Sequence, residues 1–307
     1  MKMVLNMNVR RVVPSGYCKG VITAIKKVRQ ARLDYPDKNI YVLGMIVHNS
    51  FVVDAFTEMG VITLDDPALT KMQLLETVND GVIVFTAHGI SNEIRTRALE
   101  KGLIVVDASC EYVLYSQQLI SKYISDGYDV IYIGKKGHPE AEAACSISPS
   151  VHLVADNKDI SNLSINSNKI AVTTQTTMSV LDTSLLINKL LEKYPDMIVN
   201  DEICSATRMR QEAVMALDDT DCLVVVGDPH SNNTAQLARI GRRSGIKKVL
   251  AVEVPQDLEN IDLSCYENIA VTAGASTPRY LTDKVIEYLE TRDSSCFEIN
   301  MDMILSH

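Results

Sequence analysis

Three of the seven cysteines share one setting. Cys18, Cys110 and Cys204 stand 92 and 94 residues apart, at the ends of VVPSGYC, IVVDASC and IVNDEIC. Each follows a β-rich run and opens a helical pattern. Thiolates are soft ligands, so one thiol from each of three repeats suits a soft metal centre, either zinc or an iron–sulfur cluster. The chain has no C-x-x-C pair and no C-x-x-x-C-x-x-C triplet, which speaks against a zinc ribbon and against a radical enzyme of the S-adenosylmethionine type. A 4Fe-4S cluster held by three thiolates keeps one iron open to a substrate oxygen, so it can act as Lewis acid and electron donor together. Cys145, Cys222, Cys265 and Cys296 fall outside the repeat and are assigned no chemistry. Cys222 heads a strand, Cys145 follows His138 on a helix, and Cys296 lies in the tail, where exposure is expected.

The elements that must position these thiols repeat with them. After each cysteine comes a helix of about four turns with apolar residues three and four apart: KGVITAIKKVRQARL, EYVLYSQQLISKYI and SATRMRQEAVMALDD. Each helix yields to a β-branched run ending in Gly and, four residues on, a polar residue: YVLG and His48, IYIG and His138, VVVG and Ser231. A second strand begins at Val61, Val151 and Val249, and a third carries His88, Thr176 and Ser276. The alternation predicts an α/β fold of three similar small units, with mainly parallel sheets covered by helices. The units are expected over 9–107, 108–201 and 202–292, with 293–307 as a C-terminal tail. Ligands of open α/β sheets lie beyond the carboxyl ends of the strands. With the units arranged pseudo-threefold, the tips would meet at one central cluster site.

Those tips are rich in donors. His48, His88, His138, Ser231, Asn233 and Ser276 lie at strand-to-helix junctions, where helix N-termini offer free N–H groups to an anion, so a phosphorylated substrate fits. A single His there is also an ordinary structural hydrogen-bonder; recurrence at equivalent or neighbouring positions favours a ligand role. Glu140, in GHPEAE, is either a first-turn acid offsetting the helix dipole or a proton donor in the cavity.

Composition bounds the partners. Thirty basic against 39 acidic residues give a net charge of −9, which argues against a nucleic-acid binder held by phosphate contacts. With 46% hydrophobic and 22% charged residues, the chain is neither disordered nor collagen-like. The start, MKMVLNMNVRR, lacks an apolar signal core, and no apolar stretch of about 18 residues follows, so no membrane span is expected and a cytoplasmic location is. A disulfide framework is not expected there.

The ordered motifs GYCKGV, IVHN, TAHGIS, DASC, GHPE, TQTT, EICSATRMRQ, HSNN and TAGASTP, spread over residues 9–292, resemble those of the 4-hydroxy-3-methylbut-2-enyl diphosphate reductases. That family closes the methylerythritol phosphate route to isoprenoids. The resemblance implies reductive dehydroxylation: two electrons and two protons remove the allylic hydroxyl, giving isopentenyl and dimethylallyl diphosphates and water. It implies Cys18, Cys110 and Cys204 as ligands of a 4Fe-4S cluster with one open iron. It assigns the diphosphate to His48, His88, His138, Ser231, Asn232, Asn233 and Ser276, and the reaction at the substrate hydroxyl to Glu140, Thr176 and His138. Hydroxide leaves poorly, so a proton relayed from Glu140 would stabilise its departure while Thr176 fixes the hydroxyl.

No G-x-G-x-x-G fingerprint opens a strand-to-helix turn, so electrons must come from outside; the resemblance implies a ferredoxin or flavodoxin. Such donors are acidic, as is this chain, and docking would need a local basic patch. Lys19, Lys26, Lys27, Arg29 and Arg32 form one candidate, with solvated helix-face charge as the plainer reading. Glu111 stands where the family usually has Pro, Ala143 where it has Gly, and Thr234, Ala235 and Gln236 where Ser-Asn-Arg is commoner. None removes a proposed ligand or acid, and Glu111 is expected at a helix N-terminus facing solvent. Two rival classes keep the cluster: a non-redox hydro-lyase and a redox sensor. The lack of an evident Arg clamp for a polycarboxylate speaks against the first, and the short tail against the second.

Overall fold

The structure is a computed structural model and describes residues 7–306. The first stretch runs β1 (Asn8–Arg11), α1 (Lys19–Asp34), β2 (Ile40–Leu43), α2 (Ser50–Glu58), β3 (Val61–Leu64), α3 (Lys71–Glu76), β4 (Val82–Phe85), α4 (Asn92–Glu100) and β5 (Ile104–Asp107). The second runs α5 (Glu111–Ser125), β6 (Asp129–Ile133), α6 (Pro139–Cys145), β7 (Val151–Val154), α7 (Asn157–Asn162), β8 (Ile170–Thr174), α8 (Val180–Lys193) and β9 (Ile198–Val199). The third runs α9 (Ser205–Met215), β10 (Cys222–Val226), α10 (Asn232–Arg243), β11 (Lys248–Val252), β12 (Asn268–Ala273) and α11 (Arg279–Thr291).

Local sequence explains the elements. In α8, Ser179 accepts from the Asp182 amide at the start, Thr183, Leu186 and Leu190 bury one stripe, and Lys193 lies in the last turn. The cap satisfies an orphan N–H, and the cation offsets the negative end of the helix dipole. The strands are short β-branched runs. Those at the sheet centres, such as β4, β8 and β10, are buried at every residue, as parallel strands covered on both faces must be. Each fully buried Val or Ile contributes about 1.5–3 kcal/mol.

Pairing gives three four-stranded sheets, all parallel, in the orders β3-β2-β4-β5, β7-β6-β8-β9 and β11-β10-β12-β1. The expected α/β class with parallel sheets is therefore what the chain adopts. The expected first unit, 9–107, differs at its first strand. β1 pairs with β12, from Asn8 opposite Asn268 to Arg11 opposite Val271, and so completes the third sheet. One rule covers all three repeats: the strand before each of Cys18, Cys110 and Cys204 closes the sheet of the preceding repeat, the last repeat preceding the first. A strand needs a hydrogen-bonding edge, and nothing local in NVRR says that the edge lies some 260 residues away.

The chain gathers into two compact units. One comprises the first two sheets, within Thr23–Val47 and Phe56–Cys204; the other comprises the third sheet, from residues up to Ile22, His48–Ala55 and Ser205 onward. In the latter unit the C-terminal tail packs inward. Cys296 is buried rather than exposed, as is Ile304, and the Tyr17 hydroxyl donates to the Ile304 carbonyl at 2.9 Å. Among the described residues no helix is long and apolar enough to cross a membrane.

Candidate active site

Each repeated cysteine is tied to a strand tip by its own amide. Cys18 N–H donates to the Ala275 carbonyl at 3.1 Å, Cys110 N–H to Ala87 at 3.0 Å, and Cys204 N–H to Thr176 at 3.1 Å. Each acceptor stands two residues beyond the last paired residue of its strand, Ala273, Phe85 and Thr174. Thr176 is thus in register with Ala87 and Ala275. Its expected equivalence with His88 and Ser276 shifts by one, and Thr177 takes that place. A TQTT segment offers two adjacent hydroxyls, and only the pairing register distinguishes them. All three cysteines are half-buried, and none of the seven is disulfide-bonded.

In the unit of the first two sheets, His138 caps α6: its Nδ1 accepts the Glu140 amide at 3.1 Å. Pro139 at the first helical position sets the entry angle, and Glu140 follows with 3% of its surface exposed. Its carboxyl is held on both oxygens. Oε1 accepts the Thr176 amide at 2.8 Å, and Oε2 bonds the Thr176 hydroxyl at 2.9 Å. Burial pushes the Glu140 carboxyl up to about 7, against the opposing pull of these donors. The His88 ring stands edge-on to His138, centroids 5.6 Å apart, and its Nδ1 is 3.3 Å from the Thr86 hydroxyl. This unit therefore brings His88, His138, Glu140 and Thr176 into one linked group.

The other unit groups His48, Ser231, Asn233 and Ser276. Ser231 caps α10, accepting the Thr234 amide at 3.4 Å. The Ser276 hydroxyl donates to the His48 carbonyl at 3.0 Å and lies 3.3 Å from the Ser231 hydroxyl. Asn233 Oδ1 accepts the Ala275 amide at 3.0 Å, and its Nδ2 donates to the Thr207 hydroxyl at 3.3 Å. Asn232 is buried beside it at the helix start. The close approach of α10 to the strand ends needs Gly227: its φ is +145°, and a Cβ there would lie 2.6 Å from the Thr234 hydroxyl.

Several supporting residues escaped sequence reasoning. Buried Arg210 of α9 donates to the Ala206 carbonyl at 2.7 Å and to the Gly16 carbonyl, two residues before Cys18, at 2.6 Å. It followed Cys204 in the quoted motif, but its long-range partner left no local mark. Gln175 Oε1 accepts the Lys135 amide at 2.9 Å and its amide nitrogen meets the Thr177 hydroxyl at 3.0 Å. Tyr132 reaches Glu140 from β6. In the basic run of α1, Lys27 donates to the Asp107 carbonyl at 2.6 Å and Arg32 to the Lys38 carbonyl at 2.9 Å, so part of that charge is spent on the chain itself. Glu111 opens α5 and is exposed.

Chemically, one unit offers a buried carboxyl pushed up to about 7, and the other offers hydroxyl and amide groups at a helix start. The donor set fits an iron–sulfur cluster: three reduced thiols, each half-buried at the head of a helix. Among the described residues no three His, Cys, Asp or Glu side chains are grouped to hold a single metal ion; a cluster takes one thiolate per iron and needs no such group.

Known proteins share this architecture. A family profile described as LytB protein matches residues 9–290. The 4-hydroxy-3-methylbut-2-enyl diphosphate reductase of Geobacillus kaustophilus is 46% identical over 293 residues, covering 94% of this chain and 91% of that one. The enzyme of the same name from Bacillus pumilus is 44% identical over 306 residues, covering 98% and 97%. The solved E-1-hydroxy-2-methyl-but-2-enyl-4-diphosphate reductase of Plasmodium falciparum superposes with a TM-score of 0.86 at 32% identity, covering 92% of this chain and 88% of that one. A second solved (E)-4-hydroxy-3-methyl-but-2-enyl diphosphate reductase, at 24% identity and a TM-score of 0.66, shares the fold. The chain belongs to the LytB protein family and is, like these relatives, an oxidoreductase.

Proposed function

We propose that this chain reduces 4-hydroxy-3-methylbut-2-enyl diphosphate to isopentenyl and dimethylallyl diphosphates, consuming two electrons and two protons and releasing water. The observation that carries the reading is the buried Glu140–Thr176 pair. An alcohol leaves as water only if a proton reaches it, and a carboxyl held near 7 is a proton donor matched to neutral pH. Glu140 gives the proton, Thr176 passes it and fixes the substrate hydroxyl, and His138 orients Glu140 through its amide. His48, His88, His138, Ser231, Asn232, Asn233 and Ser276 bind the diphosphate, with helix starts supplying amide donors. Cys18, Cys110 and Cys204 would hold a 4Fe-4S cluster with one open iron, which when bound supplies electrons and a Lewis-acid position for the substrate oxygen. A ferredoxin or flavodoxin delivers the electrons, in the cytoplasm.

The test is anaerobic reconstitution with iron and sulfide, then a reduced-viologen assay with this substrate on wild type and Glu140→Gln. Dye oxidation by wild type and its near-complete loss in the variant is the expected result. A protein that assembles its cluster and leaves the dye untouched overturns the reductase; dehydration without dye oxidation would mark a hydro-lyase.

A further inference from the structure

Among the buried side chains of the cluster beneath α6, Tyr132 carries the one hydroxyl. Tyr132 of β6 is fully buried, with its ring among Ile120, Val130, Ala141, Ala144 and Val151. A Phe would fill that space with no polar atom to satisfy. The chain makes room for the ring with small neighbours: α6 presents alanines at 141 and 144, and a Cβ at Gly134 would stand 2.7 Å from the ring edge. Among the described residues, the only hydrogen-bond partner of the Tyr132 hydroxyl is Glu140 Oε1, at 3.4 Å. A buried hydroxyl left without an acceptor costs about 1–3 kcal/mol, so the phenol and the carboxyl hold one another.

We infer that Tyr132 is a positioning residue for Glu140: its hydroxyl donates to Oε1, alongside the Thr176 amide, and keeps Oε2 turned to the Thr176 hydroxyl. The two oxygens then have distinct duties. Oε1 takes two fixed donors, 2.8 Å and 3.4 Å away, while Oε2 faces the one group that can relay a proton, at 2.9 Å. Tyr132 does not lose its own proton in the working range. Burial, with the Glu140 and Cys145 charges adding to it, pushes the phenol well above its ordinary value. The groups facing Glu140 are Tyr132 from β6, Thr176 beyond β8 and His138 on its own helix, with His88 edge-on behind His138 and Cys145 beside Tyr132. A donor to a carboxylate favours its charged form. Removing this hydroxyl therefore raises the Glu140 carboxyl further above about 7.

The inference rests on Glu140 as the proton source, but its test can be read without turnover. Isotope-edited infrared titration of 13C-Glu protein follows the Glu140 carboxyl band, which Glu140→Gln identifies. In Tyr132→Phe the midpoint should rise by about half to one pH unit, the equivalent of one neutral hydrogen bond. In turnover, kcat should fall about threefold to tenfold with KM unchanged. Difluorotyrosine at 132, a stronger donor of nearly equal size, should move the midpoint down. An unmoved midpoint in both proteins overturns the inference, whatever the thermal stability does, because a merely structural phenol would alter stability alone. A wild type that titrates as expected yet reduces no substrate would overturn the proposed function and leave the positioning role intact.

Discussion

The strand tips beyond Gly134 and Gly227 are built on one plan and equipped for different work. Four residues after each glycine a side chain caps a helix: His138 accepts from Glu140 at the start of α6, and Ser231 accepts from Thr234 at the start of α10. The next residues are Pro-Glu in one and Asn-Asn in the other. The first tip thus buries a carboxyl bonded to Thr176, and the second buries an amide bonded to Ala275 and Thr207. An anion is best held by fixed donors that do not titrate, whereas a proton must be held by a group that does. Burial can thus raise the Glu140 carboxyl at one tip while the Asn233 amide and the Ser231 and Ser276 hydroxyls at the other keep their character.

The largest effect should come from Glu140→Gln. Loss of a general acid costs about 10²- to 10⁴-fold in rate, measured as viologen oxidation at saturating substrate; a loss below about tenfold would break the division of labour. The same variant tests the cost of the buried acid. Between its ordinary value of 4.5 and about 7, the folded protein keeps a proton that the unfolded chain has released. Stability therefore falls as pH rises through that window, by about 3 kcal/mol in all. Glu140→Gln removes the penalty, so denaturant titrations should show the variant gaining on wild type at pH 8 and not at pH 4. Equal pH dependence in the two proteins would mean that the carboxyl is not held up.

Ser276→Ala probes the neutral tip. A hydrogen bond to a charged group contributes about 1.5–3 kcal/mol, so KM should rise by about one order of magnitude or more. The shape of the pH–rate profile should stay as in wild type; a shifted profile would show that the neutral tip also takes part in proton handling. The smallest change is expected at Glu76, in the unit that carries Glu140. Hydrogen bonds from Arg97 and Lys101 hold its carboxyl down at about 2. These are exposed pairs, which contribute little to stability. Calorimetry of Glu76→Gln should give a transition displaced less than that of any buried-site variant.

Much of this was legible along the chain. The cysteine spacing, the Gly-plus-four polar residues and the helix stripes are local patterns: α5 opens after Cys110, His138 and Ser231 are N-caps, and Glu140 lies in a first turn, whereas at the start of α2 it is Asn49, next to His48, that accepts the Val52 amide. Sequence reasoning left Glu140 between a dipole-offsetting acid and a proton donor. Its pairing with Thr176, 36 residues on, is a contact of the folded chain. Cys296 looked like tail and is core, because residues beyond α11 fold back onto their own unit.

By itself the sequence determined the α/β alternation, the three repeats and the residue types at their tips, since helix stripes, caps and β-branched runs depend on neighbours a few residues apart. The tertiary structure decided where β1 pairs, which TQTT hydroxyl reaches Glu140, and that Tyr132 meets the same carboxyl. Each of these depends on groups distant along the chain or on register counted across a sheet. Parallel strands find partners through crossovers, and a shift of one residue turns a side chain to the opposite face. No local pattern carries that information.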